Sequence, residues 1–433
     1  MRKHNVVRNY TVDKKRLISN FASLSSVQMA NYIFPLITLP YLARVLGPEK
    51  FGLIAFAQAF VQYFVLLTDY GFNLSATRNV SIHRNDIEKV SRIFSAVMLI
   101  KFFLMLLSFA IFSALLFSIP KFRADWVLYS CCFGFVIGNM LFPVWLFQGM
   151  ERMKSIAFLN LIAKTIFLGA IFVFVKSQAD YLYVPLLAAI GGMVAGVLSI
   201  GIAVKRFHVH LKPVSVADVM HEFREGWYVF VSTVAISLYT TSNTFVLGIM
   251  TNSTSVAYYS AGEKLVRAGQ GLWTPFSQAI FPVFSKLYAD NRDGAKAFLK
   301  KILVFAGFST FLLSLAGCLL APPLTTILLG PKFNHSVLVV QILIFSIFAI
   351  GINNILGVQG LIAFGFSKYF TAIVAIAGVL HLALLFVLIK LYGLIGTAVA
   401  VVITELFICA IEFYLLKKKG ILCANYDDFA ICH

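Results

Sequence analysis

In an otherwise apolar stretch, Glu263, Lys264, Arg267 and Gln270 place charge and hydrogen-bonding capacity at short intervals. Glu263, Arg267 and Gln270 stand at i, i+4 and i+7, so a helix puts them on one face, with Lys264 on the flank. Tyr259 and Ser260 begin the same polar stripe. A glutamate one turn before an arginine can pair with it, and Lys264 then leaves the face net positive. That is suitable chemistry for an anion-binding wall in a wet cavity. A structural ion pair between helices would use the same residue types, so both readings stand.

Further polar residues interrupt apolar runs elsewhere. Lys101 and Lys164 lie some eight or nine residues inside theirs; each either snorkels toward headgroups or faces a cavity. The run SLYTTSNT (237–244) supplies neutral donors that include Tyr239 and Asn243. Ser25, Gln28, Asn31 and Tyr32 do the same near the start of the chain, with Pro35 and Pro40 beyond them as places where a helix can break. Such residues line a path for a polar cargo or act as glue between helices. Asp69 and Glu405 are acids in apolar surroundings, and a buried carboxylate can carry a coupling proton. Glu412 is expected to pair with the Lys417–Lys419 end, and His381 reads as a packed, hydrogen-bonded histidine.

Soluble-enzyme chemistry has no foothold. The chain contains no Walker loop, HExxH or GxSxG, and its six cysteines (Cys131, Cys132, Cys318, Cys409, Cys423, Cys432) lack metal-ligand spacing. No enzyme activity, cofactor or metal is expected.

The elements that must position these residues are membrane helices. Apolar residues form 60% of the chain and charged ones only 12%, about half the share usual in soluble domains. Stretches near the length of about 20 residues needed to cross a bilayer recur at 18–42, 53–77, 92–118, 124–148, 156–175 and 181–204. They continue at 227–250, 255–281, 301–320, 336–362, 369–389 and 393–416. The expectation is an all-α integral membrane protein of about twelve spans. A six-span lobe (1–204), a cytoplasmic linker (205–226) and a second six-span lobe with a cytoplasmic tail (227–433) follow from the long polar connection at mid-chain. Amphipathic surface helices are expected at 84–92 and 218–226, and the inside loop 282–301 has the same character.

A net charge of +18 would suggest nucleic acid in a soluble protein, but its distribution excludes that partner. If the N-terminus is cytoplasmic, the outside connections hold only Arg44, Lys50, Lys121, Arg123, Lys176, Lys332 and Lys390 of the 36 basic residues. This positive-inside bias directs both termini inward and makes membrane lipids the neighbours of the excess charge.

Four stretches then carry a resemblance: NYIFPLITLPYLARVLGPEKFGLIAF (31–56), DYGFNLSATRN (69–79), FPVWLFQGMERM (142–153) and FVSTVAISLYTTSNTFVLG (230–248). The sequence resembles the Wzx flippases, O-antigen-type members of the polysaccharide transporter family within the multidrug/oligosaccharidyl-lipid/polysaccharide exporter superfamily. The resemblance implies two six-helix lobes around a central cavity and alternating access, in a bacterial inner membrane. It implies a cargo of undecaprenyl-pyrophosphate-linked oligosaccharide moved from the cytoplasmic to the periplasmic leaflet, with a proton or sodium ion as coupling ion. Polysaccharide polymerase and chain-length machinery are the expected partners.

On that reading Lys101, Lys164, Lys264 and Arg267 meet the pyrophosphate. Gln28, Asn31, Tyr32, Tyr239, Asn243, Tyr259 and Gln270 line the substrate path, and Glu263, Asp69 and Glu405 serve coupling or ion pairing. Two alternatives remain: a cation-coupled multidrug exporter of the same superfamily, which would want an acidic, aromatic-lined cavity, and a membrane-embedded polymerase or acyltransferase, which would want a substantial outside loop.

Overall fold

The computed structural model describes residues 2–271, 280, 284, 287–288 and 290–422, with 2–30, 32 and 238 described through their backbone alone. Every regular element among them is helical. In chain order these are α1 (Arg2–Asp69), α2 (Phe72–Ile82), α3 (Ile87–Ser118), α4 (Pro120–Arg123), α5 (Trp126–Leu141), α6 (Val144–Gly149), α7 (Met153–Phe174) and α8 (Tyr183–Phe207). They continue with α9 (Val216–Thr240), α10 (Ser242–Met250), α11 (Ser253–Gly271), α12 (Arg292–Leu329), α13 (Ser336–Leu343), α14 (Phe345–Asn353), a π-helical segment (Asn354–Ile362) and α15 (Ser367–Lys418).

Among the described residues, eight helical stretches are long and apolar enough to cross a bilayer, or nine if the bent pair α9–α10 counts as one span. Lipid offers backbone amides no partners, so helices that satisfy themselves are what such a sequence can form. The chain is an all-α integral membrane protein. Large apolar side chains face outward accordingly: Phe103 on α3, Phe158 on α7 and Leu319 on α12 are 60%, 64% and 73% exposed.

α1 and α15 are each far longer than one crossing needs, and each contains a single non-helical residue, Gly47 (φ 68°, ψ 174°) and Gly393 (φ 58°, ψ −131°). A Cβ makes both conformations costly, so glycine marks where one apolar run becomes two. Pro35 and Pro40, expected as break points, stay inside helical backbone; the break falls at Gly47, just before Pro48.

The helices gather into two compact units. One comprises the chain through Phe34 together with Ala57–Val234; the other comprises Pro35–Phe56 and the chain from Ala235 onward. In the first unit α5 and α8 pack through small residues. A Cβ on Gly138 would meet the Gly192 carbonyl carbon at 2.8 Å, and one on Gly196 would meet Leu141 at 2.6 Å. Close backbone approach of this kind is how membrane helices gain dispersion contact without a hydrophobic drive. Phe94, Trp145, Phe147 and Phe207 fill the core beside it.

The surface helices expected at 84–92 and 218–226 are not separate elements. Asp86 caps α3 by accepting from Lys89 N at 3.1 Å, so all but the first residues of 84–92 form its opening turns. Ser215 and Asp218 cap α9 reciprocally, and no breaker follows until Thr241, so 218–226 runs straight into the next apolar stretch. Asn79 on α2 donates to both oxygens of Glu222, at 3.1 and 3.0 Å, tying α9 to α2.

In the second unit, Gly52 lies directly on the backbone of Ser253, Phe56 stacks on Phe245 with ring centroids 5.9 Å apart, and Phe51 meets Phe333 edge-on at 5.8 Å. A second core gathers Phe284, Leu299, Ala306, Ile355 and Leu416.

Candidate functional site

The polar run 237–244 does something specific to the backbone. The helix stops at Thr240 and restarts at Ser242, with a bend of 54° between α9 and α10. The last carbonyls of a helix have no partner within it. Arg267 on α11 takes up one of them, Nη2 donating to Thr240 O at 3.1 Å. The same guanidinium donates to Glu263 Oε1 from Nη2 at 2.9 Å and from Nε at 3.2 Å. The expected i, i+4 pair is formed, with Arg267 half exposed.

Behind this pair lies a cavity of about 330 Å³ that belongs wholly to the second unit. Its size is at the small end for ligand pockets, enough for an ion, a headgroup fragment or a single sugar ring. α11 contributes Tyr259, Glu263, Arg267 and Gln270 to its walls, and Gln270 Nε2 donates to Ser346 Oγ of α14 at 3.0 Å. α9 and α10 contribute Tyr239, Thr240 and Asn243.

The facing wall is acidic. Glu405 and Glu412 stand seven residues apart on α15, hence on one face. Asn353 Nδ2 donates to Glu405 Oε2 at 2.6 Å and to the Glu405 carbonyl at 3.2 Å. Glu412 is fully buried, and neither of its oxygens has a hydrogen-bond partner among the described residues, in contrast to the expected pairing with the Lys417–Lys419 end. The side chain instead lies against Gly357 inside the unit.

His381 is buried, as expected of a packed histidine. Its Nδ1 lies 2.8 Å from Thr404 Oγ1 and its Nε2 2.8 Å from the Asn243 side-chain carbonyl. The Thr404 hydroxyl also donates to Ala400 O at 2.8 Å.

Seven of the residues expected to serve binding, the substrate path or coupling therefore meet in one cavity, Tyr239, Asn243, Tyr259, Glu263, Arg267, Gln270 and Glu405, with His381 and Glu412 beside them. Lys264 is not among its lining; its ammonium lies 5.0 Å from the centroid of the Phe51 ring. With Lys264 turned away, three carboxylates share this cavity with one arginine, so its wall is acid-rich where the helical face alone had suggested surplus positive charge.

The remaining residues lie in the first unit. Lys101 is 1% exposed and donates to Asp69 Oδ1 at 2.9 Å and to Asn139 O at 3.3 Å, a buried ion pair joining α1, α3 and α5. Lys164 on α7 donates to the Asn31 side-chain carbonyl. The side chains of Gln28 and Tyr32 lie outside the described residues, as do Cys423 and Cys432.

Sequence reasoning passed over Asn353, Asn354, Ser346 and Thr404, all of which line the cavity. Consecutive asparagines at 353–354 within an apolar run were the available signal. No cluster of acidic, histidine or cysteine side chains able to hold a metal exists among the described residues.

Comparison with known proteins agrees with this architecture. The chain shares its fold with an inward-facing multidrug resistance MATE family transporter of the MOP superfamily, at a TM-score of 0.72 and 13% identity, covering 92% of this chain and 98% of that one. It shares it also with the lipid II flippase MurJ in an inward closed conformation, at a TM-score of 0.68 and 15% identity, covering 93% and 95%. In sequence it is 32% identical over 95% of its length to a putative O-antigen transporter of Escherichia coli K12, covering 99% of that protein. A putative O-antigen transporter of Shigella dysenteriae is 31% identical over 90% of this chain and 97% of its own. None of these names denotes an enzyme. Residues 17–288 match the model of the polysaccharide biosynthesis protein family, and with relatives alignable end to end, the chain belongs to that family.

Proposed function

We propose that the chain is a flippase for lipid-linked oligosaccharide. It moves undecaprenyl-pyrophosphate-linked repeat units of the O-antigen type from the cytoplasmic to the periplasmic leaflet of a bacterial inner membrane by alternating access. Twelve crossings and cytoplasmic termini belong to this reading, as do the two six-span lobes divided by the stretch 205–226. Polymerase and chain-length machinery would receive the product.

One observation carries it. A charged, hydrogen-bonding cavity sits inside a lipid-facing helical unit of a chain that aligns end to end with O-antigen transporters. A pyrophosphate and a glycan cannot cross hydrocarbon unaided, whereas a polyprenyl tail need never leave it. Arg267, half exposed and anchored by Thr240 and Glu263, is the cation best placed to meet phosphate oxygens in two-point contact. Lys164, Lys264 and Lys101 are the further cations of this reading, the last already committed to Asp69. The neutral donors Tyr239, Asn243 and Gln270 would hydrogen-bond sugar hydroxyls.

The acid-rich wall with Glu405 supports coupling to a proton or sodium ion. It also fits the second reading, a multidrug exporter for organic cations, and the two part in one experiment. In strains lacking a repeat-unit flippase, the chain should restore surface polysaccharide, and Arg267→Ala should not while still inserting. Export of cationic dyes without any restored polysaccharide would favour the second reading.

A further inference from the structure

Glu412 is the group in the cavity wall that the transport reading leaves without a task. It is fully buried, lines the cavity, and has neither carboxyl oxygen hydrogen-bonded among the described residues. Its seat is formed by the π-helical segment Asn354–Ile362. A Cβ on Gly357 would stand 2.6 Å from Glu412 Oε1 and 2.7 Å from the Phe370 ring, so the segment rests directly on the carboxyl. Less than one turn further, Gly360 rests in the same way on Leu416.

An ionised carboxylate in that seat would be an uncompensated charge in a low-dielectric interior, whereas a neutral carboxyl is tolerated far better. The segment above it is the unusual partner. A π-helix nine residues long is rare, and such segments occur mostly as single turns at functional sites.

We propose that Glu412 is a proton-carrying carboxyl seated beneath the π-helical segment, and that losing its proton to water entering the cavity drives Asn354–Ile362 off the seat. The proposal rests on the flippase reading only for the use made of this movement, the coupling of proton release to transport.

Among the described residues, few other groups can confuse the titration. On α15, Glu405 and Cys409 precede Glu412 on the same side, and His381 lies on the other arm of that helix. Tyr239 of α9 faces the cavity, and Tyr259 and the Glu263–Arg267 pair line its α11 wall. The π-helical segment, α10, α13 and α14 carry no titratable side chain. α12 packs on the segment through Leu299, Ile302 and Ala306. Lys417–Lys419 stand beyond, at the end of α15.

The test uses the full chain purified into lipid nanodiscs, with hydrogen exchange of residues 354–362 followed against pH and corrected for intrinsic rates. Exchange should rise with pH in the wild type, by at most about tenfold per unit, the limit for one linked proton. In Glu412→Gln it should stay low and flat. The infrared band of a protonated carboxyl should fade over the same pH range in the wild type and be missing from Glu412→Gln. Gly357→Ala crowds the seat without altering any titratable group, so its exchange should be high at every pH, which keeps the idea testable if Glu412→Gln fails to fold. Equal pH dependence in wild type and Glu412→Gln, or a carboxyl ionised throughout, overturns the proposal. Transport is scored separately: Glu412→Gln should lose polysaccharide export, and normal export in that variant removes Glu412 from coupling. Failure of the wild type to restore any polysaccharide would overturn the flippase reading and leave the seat to be judged by exchange alone.

Discussion

At the scale of single residues, the two prominent cations are used differently. Arg267 keeps half its surface exposed and makes three hydrogen bonds, one of them to a carbonyl released by the break at Thr241. Hydrogen bonds to a charged group contribute about 1.5–3 kcal/mol, so Arg267→Ala should cut export at least about tenfold, below what restores surface polysaccharide, and Arg267→Lys should recover only part of it because it loses the fork. Surface polysaccharide, normalised to the amount of inserted protein, measures both. Lys101 is committed to Asp69 inside the first unit. Lys101→Met leaves that carboxylate without its partner and should cost about 3 kcal/mol in stability, while the double variant Lys101→Met with Asp69→Asn should recover most of the loss. Thermal unfolding in detergent reads this directly, and a single variant as stable as wild type would show that the pair contributes nothing. The sequence exposed both cations as misfits in apolar runs. It could not show which was already neutralised, because Asp69 lies 32 positions from Lys101 and only packing brings them together.

At the scale of elements, apolar run length was a dependable guide to where helices lie, and less so to where they stop. The stop at Thr240 falls inside the stretch 227–250 that was expected to run unbroken; its signal was the run of hydroxyl and amide side chains, which competes with the helix for its own backbone. The π-helical register of Asn354–Ile362 was not legible, since it arises from what packs around those residues and not from their types. Helix seams fall between these cases. Gly134 and Gly138 on α5 and Gly192 and Gly196 on α8 show the small-residue spacing of close contacts, yet Gly169 on α7 has nothing within 4 Å of its would-be Cβ. The two classes should separate by experiment. Gly138→Ala forces α5 from α8 and should cost about 1–3 kcal/mol, whereas Gly169→Ala meets open space and should stabilise by about 0.5–1 kcal/mol. Equal effects on melting temperature would refute the seam.

At the scale of the whole molecule, the direction of transport depends on which side of the membrane each connection lies. α8 is 25 residues long, about 37 Å at 1.5 Å per residue, enough to carry its two ends past opposite faces of the hydrocarbon. Lys205 and Arg206 close that helix and Lys212 follows, while the other end offers Lys176 beside Asp180. On the proposed reading, the charge bias directs the Lys205 end to the cytoplasm. Gln178 and Ala217 are both exposed, so cysteines there report without disturbing the core. In a background with the native cysteines replaced, Gln178→Cys should react with a membrane-impermeant maleimide in intact spheroplasts, and Ala217→Cys only after permeabilisation. The proposed orientation would also direct the basic chain termini to the cytoplasm, where the lipid-linked cargo would be loaded. Reversed labelling would mean that the basic residues are serving something other than topology. It would also turn the proposed direction of transport around, because the Lys205 end would then face the periplasm.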